Sequence, residues 1–491
     1  MLAYLILGIY TVALAYILLY CVMQLNLLYY YRRHRKKNPY QTPELEDINS
    51  PDLPFVTVQL PIYNEFYVIE RLIDHCAAFN YPKDKFEIHV IDDSTDETVE
   101  IVRKKVAHYK KLGFNIEQVR RKVRQGYKAG ALKDAMYLVK GEFIAIFDAD
   151  FLPRPDFLLA TVGHFKDPKI GVVQSRWEHI NRNYSLMTRL QAFHLDMHFT
   201  VEQKGREVSD CLLQFNGTAG VWRKATIEDA GGWEADTLTE DLDLSYRAQI
   251  KGWKIHFLER LGSPSELPAE MNGFKSQQFR WSKGGAETAR KMLPIVWKSN
   301  LSLRKKIHGT IHLTGASVFV FVFISAVLSV PLTYLMPKMG LDLTYLKVFF
   351  VGLFSVIFTY YEANVHATLE KHSFARRLFK FAVLFPTFIA LSMGLSLHNT
   401  IAVIQGYWGK KSAFIRTPKF NITGMGGTFK KDKYKSTKLP WTTVFEGILA
   451  LYFMAAVVGG WFWYSSFMGY HLMLALGFGY VSFYSFKHLK Y

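Results

Sequence analysis

Two aspartates one residue apart, Asp148 and Asp150, follow the apolar run from Ile144 to Phe147. In a strand, that spacing puts both side chains on one side of the sheet. At a strand end both can reach one divalent cation. Carboxylate oxygens are hard ligands that suit Mg²⁺ or Mn²⁺, and such an ion can also hold a substrate diphosphate. Asp92 and Asp93 follow a second apolar run, Ile88 to Ile91. A carboxylate there can accept an N–H from a nucleobase or help hold a ribose and the metal, although the same pair also suits a turn or helix cap. Lys128 lies between Gly126 and Gly130 and can stand near a diphosphate, with glycines permitting close backbone approach. Glu65, at another expected helix start, joins these donor-side candidates.

Thr239-Glu240-Asp241 opens an expected helix. A sugar hydroxyl is a poor nucleophile at neutral pH, so a carboxylate aimed at it can act as general base. Capping acidity at a helix start gives the same local pattern. In Gln277 to Trp281, Arg280 can neutralise a departing diphosphate. Trp281 offers a flat wall to a sugar ring, and Gln277 can bond its hydroxyls. Trp177, Phe215, Asn216, Gly217 and Glu240 are candidate acceptor contacts, while Trp222 and Trp233 suit a core equally well.

These groups need a scaffold that brings strand ends together. Strands are expected at Phe55–Leu60, Phe86–Ile91, 114–120, 142–150 and 170–177, and from Lys254, with helices between them. Thr239 is the expected cap of one helix. Short alternation of this kind predicts an α/β fold with a mostly parallel sheet flanked by helices. Ligands gather at the carboxyl ends of such strands. No G-x-G-x-x-G or G-x-x-x-x-G-K-[ST] motif occurs, so dinucleotide binding and P-loop chemistry are disfavoured.

Residues 1–31 carry no charged side chain and meet Arg32 to Lys37, which predicts a spanning helix with a cytoplasmic basic flank rather than a cleaved signal. Residues 32–54 form a basic and polar linker, 55–300 the cytoplasmic catalytic domain, and 301–491 a membrane region with a basic loop at 405–440. Apolar runs at 309–336, 344–363, 379–404, 442–462 and 466–486 can each cross a bilayer by length. An even alternation would send Gly409–Leu439 outside, yet that stretch holds nine Lys or Arg against one Asp. The 379–404 run is therefore expected not to span simply. The net charge of +18 lies largely beside apolar segments, which suits a lipid surface rather than nucleic acid. Three scattered cysteines have no metal-site spacing.

The pieces together describe sugar transfer from a nucleoside diphosphate. One base and one displacement predict inversion, and no second nucleophile stands out. The ordered set resembles the membrane-bound family 2 glycosyltransferases, the group of the cellulose synthases and their relatives. Their pattern of D, D-x-D, [TE]-D and Q-[QR]-x-R-W appears here as "DDSTD", "DAD", "TED" and "QQFRW". The likeness covers about Phe55 to Trp281, and within the group it is strongest to cellulose-synthase-like mannan, glucomannan and xyloglucan-backbone glucan synthases.

The resemblance implies a GT-A-type fold in which Asp92, Asp93 and Asp148 hold the nucleotide, Asp150 the metal, and Asp241 acts as base. Gln277, Arg280 and Trp281 would frame the donor phosphate and the acceptor end. A loop F-x-V-T-x-K closes over the donor in that family. Here it is Phe414 to Lys419, with Thr417 and Lys419 kept and Arg416 in place of Val. The expected activity is elongation of a β-1,4-mannan, glucomannan or glucan from GDP-mannose or UDP-glucose, with Mg²⁺ or Mn²⁺. The expected partners are the donor, the glycan and the bilayer, with a homo-oligomer or an accessory protein left open, and the membrane helices could carry the product outward. The expected site is the plasma or inner membrane of a prokaryote, or the Golgi membrane of a plant. Rival readings are single-sugar transfer to a lipid, and a non-catalytic glycan-binding or transport protein.

Overall fold

Parallel pairing fixes where strands end, and that fixes the acids. The computed structural model describes residues 1–38, 44–339, 344–368, 372–412, 415–424, 439–462 and 467–489. Its strands are β1 (Val56–Ile62), β2 (Phe86–Asp92), β3 (Ile116–Val119), β4 (Phe143–Ile146), β5 (Ile170–His179), β6 (Gly220–Arg223) and β7 (Lys254–Ser265). They form one sheet in the order β3-β2-β1-β4-β6-β5-β7. β1 pairs in parallel with both β2 and β4, with Ile62 opposite Asp92 and Gln59 opposite Ile146. The chain therefore leaves β2 and β4 at one edge of the sheet, on either side of β1, and Asp93, Asp148 and Asp150 follow directly.

β6 was not foreseen. It runs antiparallel between β4 and β5, with Val221 opposite both Ala145 and Val173. Because it runs the other way, its beginning lies at the end of β4: Ala219 N donates to Ile146 O, and Asp148 N donates to Thr218 Oγ1 at 2.8 Å. The four-residue run Gly-Val-Trp-Arg is too short to show a period. Its register comes from its neighbours.

Apolar side chains alternate across the sheet. Val58, Leu60, Ala145 and Phe147 enter one buried cluster, and Ile144, Ile146, Trp222 and Trp233 enter the other. The helix Met271–Lys298 leads from this domain to the membrane part.

Five described helices are long and apolar enough to cross a membrane: Leu2–Lys37, Gly315–Met336, Tyr345–His366, Phe374–Gly394 and Trp441–Phe462. A further long helix, Met468–Lys487, packs on the last of these. The protein is thus a multi-pass membrane protein by helix length and composition. The 379–404 run is split. One helix ends at Gly394, and Ser396–Tyr407 begins another that packs on Met271–Lys298. The Phe374–Gly394 helix lies against Leu186–Met197, where the Phe193 ring meets both Phe381 and Phe388, and Leu391 joins Leu190 in one cluster.

Among the described residues, one Lys–Glu ion pair is wholly buried. Lys275 Nζ lies 2.7 Å from Glu446 Oε2 and donates to Thr443 Oγ1 at 3.1 Å. It ties the Met271–Lys298 helix to Trp441–Phe462. Nearby, His488 Nδ1 accepts from Met271 N, and Ser485 O accepts from Asn272.

Candidate active site

A cleft of about 220 Å³ opens at the carboxyl edge of β1, β2 and β4. Asp93, Lys128, Asp148, Asp150, Asp241 and Arg280 all line it, as do Glu65, Gln277 and Trp281. Six segments separated in sequence therefore meet at one place. Among the acceptor candidates, Trp177, Asn216, Gly217 and Glu240 also line the cleft.

Two candidates do not. Asp92 is buried and lies outside the cleft lining. Its carboxylate accepts from Ser94 N and from Gln118 Nε2, both at 2.8 Å, so it holds the turn after β2. Phe215 is fully buried, with its ring edge-on to Trp222, and belongs to the core. In each case the neighbour in sequence is the residue that faces the cleft. The expected cap at Thr239 also differs: its hydroxyl bonds Thr288 Oγ1 rather than the helix it precedes. Phe414 lies outside the described residues.

On the donor side, charge is closely paired. Arg121 holds Asp93 through Nε and Nη2, at 3.0 and 2.5 Å. Lys128 Nζ donates to Asp148 Oδ1 at 2.6 Å and to Gly217 O at 2.8 Å. Burial lowers the Lys128 pKa, but Asp148, Glu240 and Asp241 outweigh it, and the net shift is upward. Lys419 Nζ donates to Asp150 Oδ2 at 2.7 Å. Each carboxylate of the D-x-D pair thus carries one ammonium group. The donor set, two carboxylates beside open cleft, fits a hard divalent cation completed by phosphate and water.

A second acid group, Glu234, Asp236 and Asp243, is also close enough to share a cation. Lys291 Nζ already lies 2.5, 2.9 and 3.1 Å from the three. That group is an ion-pair network around the Lys291 ammonium, and none of its members lines the cleft.

Asp241 sits in the first turn of the helix Glu240–Ile250. Burial, and then the charge of Glu240, push its carboxyl up to about 7, against the pull of Lys128. Glu240 is raised too, first by burial. A carboxylate near neutrality is matched to general-base work at physiological pH. Gly217 makes room for it. Its φ is +78°, and a Cβ there would lie 2.9 Å from Asp241 Oδ2.

The segment 415–424 crosses the cleft. Arg416 makes a two-pronged pair with Glu65, at 2.8 and 2.5 Å, and Thr417 Oγ1 accepts from Arg280 Nη2 at 2.8 Å. Phe420 N and Arg71 both donate to Glu266. The Arg that replaces Val is thus engaged, and its partner Glu65 is the acid expected on the donor side.

Beyond Asp241 the cleft continues into a space of about 230 Å³ lined by Trp177, His198, Gln214, Asn216 and Trp281. Asn216 Oδ1 lies 3.1 Å from His198 Nε2 and accepts from Gln214 Nε2 at 3.0 Å. The His198 Nδ1 atom lies 2.7 Å from Glu202, which also accepts from Gln24 of the first helix. Asn216 Nδ2 and Trp177 Nε1 are buried without a protein partner, so a hydroxyl-bearing ligand between them would complete two hydrogen bonds. Sequence reasoning missed Arg121, His198, Glu202 and Glu266. His198 and Glu202 stand four apart, as helical partners do, but nothing local says that His198 lines the space beyond Asp241 with Glu202 behind it. They lie on a stretch of wide π-type turns, His198–Gln203, a geometry often found at functional sites.

Residues 51–284 match the family described as Glycosyltransferase like family 2. The chain is 39% identical over 303 residues to glucomannan 4-beta-mannosyltransferase 9 of Arabidopsis thaliana, covering 60% of this chain and 56% of that one. It is 42% identical over 287 residues to glucomannan 4-beta-mannosyltransferase 1 of Oryza sativa subsp. japonica, covering 56% and 55%. The match therefore spans about half the length of these curated relatives. The fold is shared with a mannosyltransferase from Pyrobaculum calidifontis solved with GDP-Man and Mn2+. That likeness has a TM-score of 0.51 at 19% identity and covers 82% of this chain and all of that one.

Proposed function

From the match of residues 51–284 to the family 2 glycosyltransferases, we propose that the chain elongates a glycan by inverting transfer of a hexose from a nucleoside diphosphate sugar. The observation that carries this reading is the meeting of Asp241 with Asp148 and Asp150 in one cleft, with Lys128 between them. Asp241 takes the proton of the acceptor hydroxyl as that oxygen attacks the anomeric carbon. The bond to the diphosphate breaks on the opposite face. Lys128 and Arg280 balance the charge that develops on the leaving group. A divalent cation held by Asp148 and Asp150 would lower the cost of that charge further. Trp281 and Trp177 flank the acceptor sugar, and Asn216 donates to one of its hydroxyls.

The names of the relatives favour a β-1,4 linkage and make GDP-mannose the first donor to test, with UDP-glucose second. The bound GDP-Man and Mn2+ of the archaeal fold relative point to the same trial. We place the catalytic domain and the basic loop on the cytoplasmic side, where Lys and Arg are favoured.

The test is a donor panel with the purified full-length protein and Mn²⁺ or Mg²⁺. Release of nucleoside diphosphate and a product cut by a β-1,4-mannanase or glucanase are expected. A folded, cation-binding sample that consumes no sugar nucleotide would overturn the reading.

A further inference from the structure

A second cavity, of about 350 Å³, lies among the membrane helices next to the catalytic cleft. The two share Gln277, Trp281 and Leu195 in their linings. Leu14, Leu18, Val318, Val322, Phe388 and Leu391 typify its wall, which is drawn from six helices and is apolar over most of its extent. Several of its polar groups already have protein partners. His194 Nδ1 lies 2.7 Å from Tyr360 Oη, Gln191 donates to Pro268 O, and Tyr20 donates to Glu202. Gln277 stands at the junction with the cleft, and Gln278 and Ser392 add two more polar side chains.

A glycan passing through such a wall would leave several hydroxyls per sugar without partners, and each unpaired buried hydroxyl is costly. A hydrocarbon chain has none to satisfy. An apolar cavity of this kind stays dry and takes apolar ligands. Its junction is also suited to an amphiphile: polar at Gln277 and Trp281, apolar beyond. We propose that the cavity holds the hydrocarbon tail of a lipid-linked acceptor, whose sugar end reaches Asp241. This inference rests on the reading of the cleft as a glycosyl-transfer site, and it names the acceptor as a glycolipid rather than a free glycan.

The experiment uses the full chain in phosphatidylcholine nanodiscs with the donor that it consumes. Methyl β-mannoside and decyl β-mannoside serve as acceptors. The ten-carbon tail should raise kcat/KM at least ~30-fold, since each buried methylene contributes favourably. Simple partitioning into lipid would also raise it, so the decisive reading is the change in that ratio in Val322→Trp, with Ser392→Phe as a second filling variant. The ratio should fall at least ~5-fold in a filled cavity. An unchanged ratio, or a preference for long oligosaccharides with no gain from a tail, would overturn the proposal and favour a glycan passage. A decyl mannoside carrying a terminal diazirine gives a reading independent of turnover. Crosslinks should fall in Leu2–Lys37 and Phe374–Gly394, and labelling confined to the outer lipid-facing surface would count against the cavity. Loss of the transfer reading itself appears separately, as absence of donor consumption with either acceptor.

Discussion

The two halves of the cleft are built differently. The donor half hangs on the ends of β2 and β4, where parallel pairing with β1 sets every acid in register. The acceptor half is assembled from the start of antiparallel β6, from Leu186–Met197 and the turns after it, and from Met271–Lys298. In the first half the side-chain position follows from a short local run. In the second it follows from contacts between segments that are remote in sequence, such as His198 with Asn216 and Glu202 with Gln24. On the proposed reading the difference separates what each half would control: charge in the donor half, fit in the acceptor half.

The sharpest way to break that division is at the residue where the halves meet. Asp241→Asn should cost at least ~10³-fold in turnover while donor affinity stays within a few-fold, as the loss of a general base does. Parallel turnover assays and nucleotide-binding titrations check this, and near-normal turnover would remove Asp241 from the role. Next comes the donor half alone. Asp150→Asn should lower activity ~10²-fold at low Mn²⁺ and recover part of it as the ion is raised, because one hard ligand is lost. A cation titration of rate against concentration measures it, and an unshifted curve would move the metal elsewhere.

In the acceptor half, Asn216→Ala should raise the acceptor KM ~10-fold with the donor KM unchanged, the size of one lost buried hydrogen bond. An equal rise in both constants would dissolve the division of labour. The smallest expected effect tests the coupling between Glu240 and Asp241. Because Asp241 must be ionised to act, kcat/KM should rise with pH through an apparent pKa near 7, a value that belongs to the pair. Glu240→Gln removes a negative charge that raises Asp241, so the limb should move to lower pH. A limb that stays put or moves up would show that Glu240 does not set it.

This contrast also explains what the sequence disclosed. Asp148 and Asp150 were legible because an apolar run must end somewhere, but the strand expected over 142–150 stops at Ile146, and the turn closed by Phe151 N on Asp148 O, not strand alternation, sets their side. Asp92 and Asp93 look alike in sequence, but only one can face the cleft when the other must hold Ser94 N and Gln118. The same alternation made Phe215 core and Asn216 site. β6 was invisible because four residues show no period, although it is the strand that carries Asn216 and Gly217 to Asp148. The 379–404 run was too long and its ends too inconsistent in charge to be one span. Its break at Leu395 depends on packing with Leu186–Met197 and Met271–Lys298, which no local pattern records.

The buried pair of Lys275 and Glu446 has a consequence for dissection of the molecule. Lys275 lies on the same helix as Gln277, Arg280 and Trp281, and its only carboxylate within ion-pair distance among the described residues comes from a membrane helix 171 positions later. A fragment that kept the helices up to Tyr407 but stopped before residue 441 would strand that ammonium in an apolar setting, a defect of about 3–5 kcal/mol. The helix that frames the reaction would then lose its footing. Activity should accordingly survive detergent extraction of the whole chain but not excision of its catalytic part.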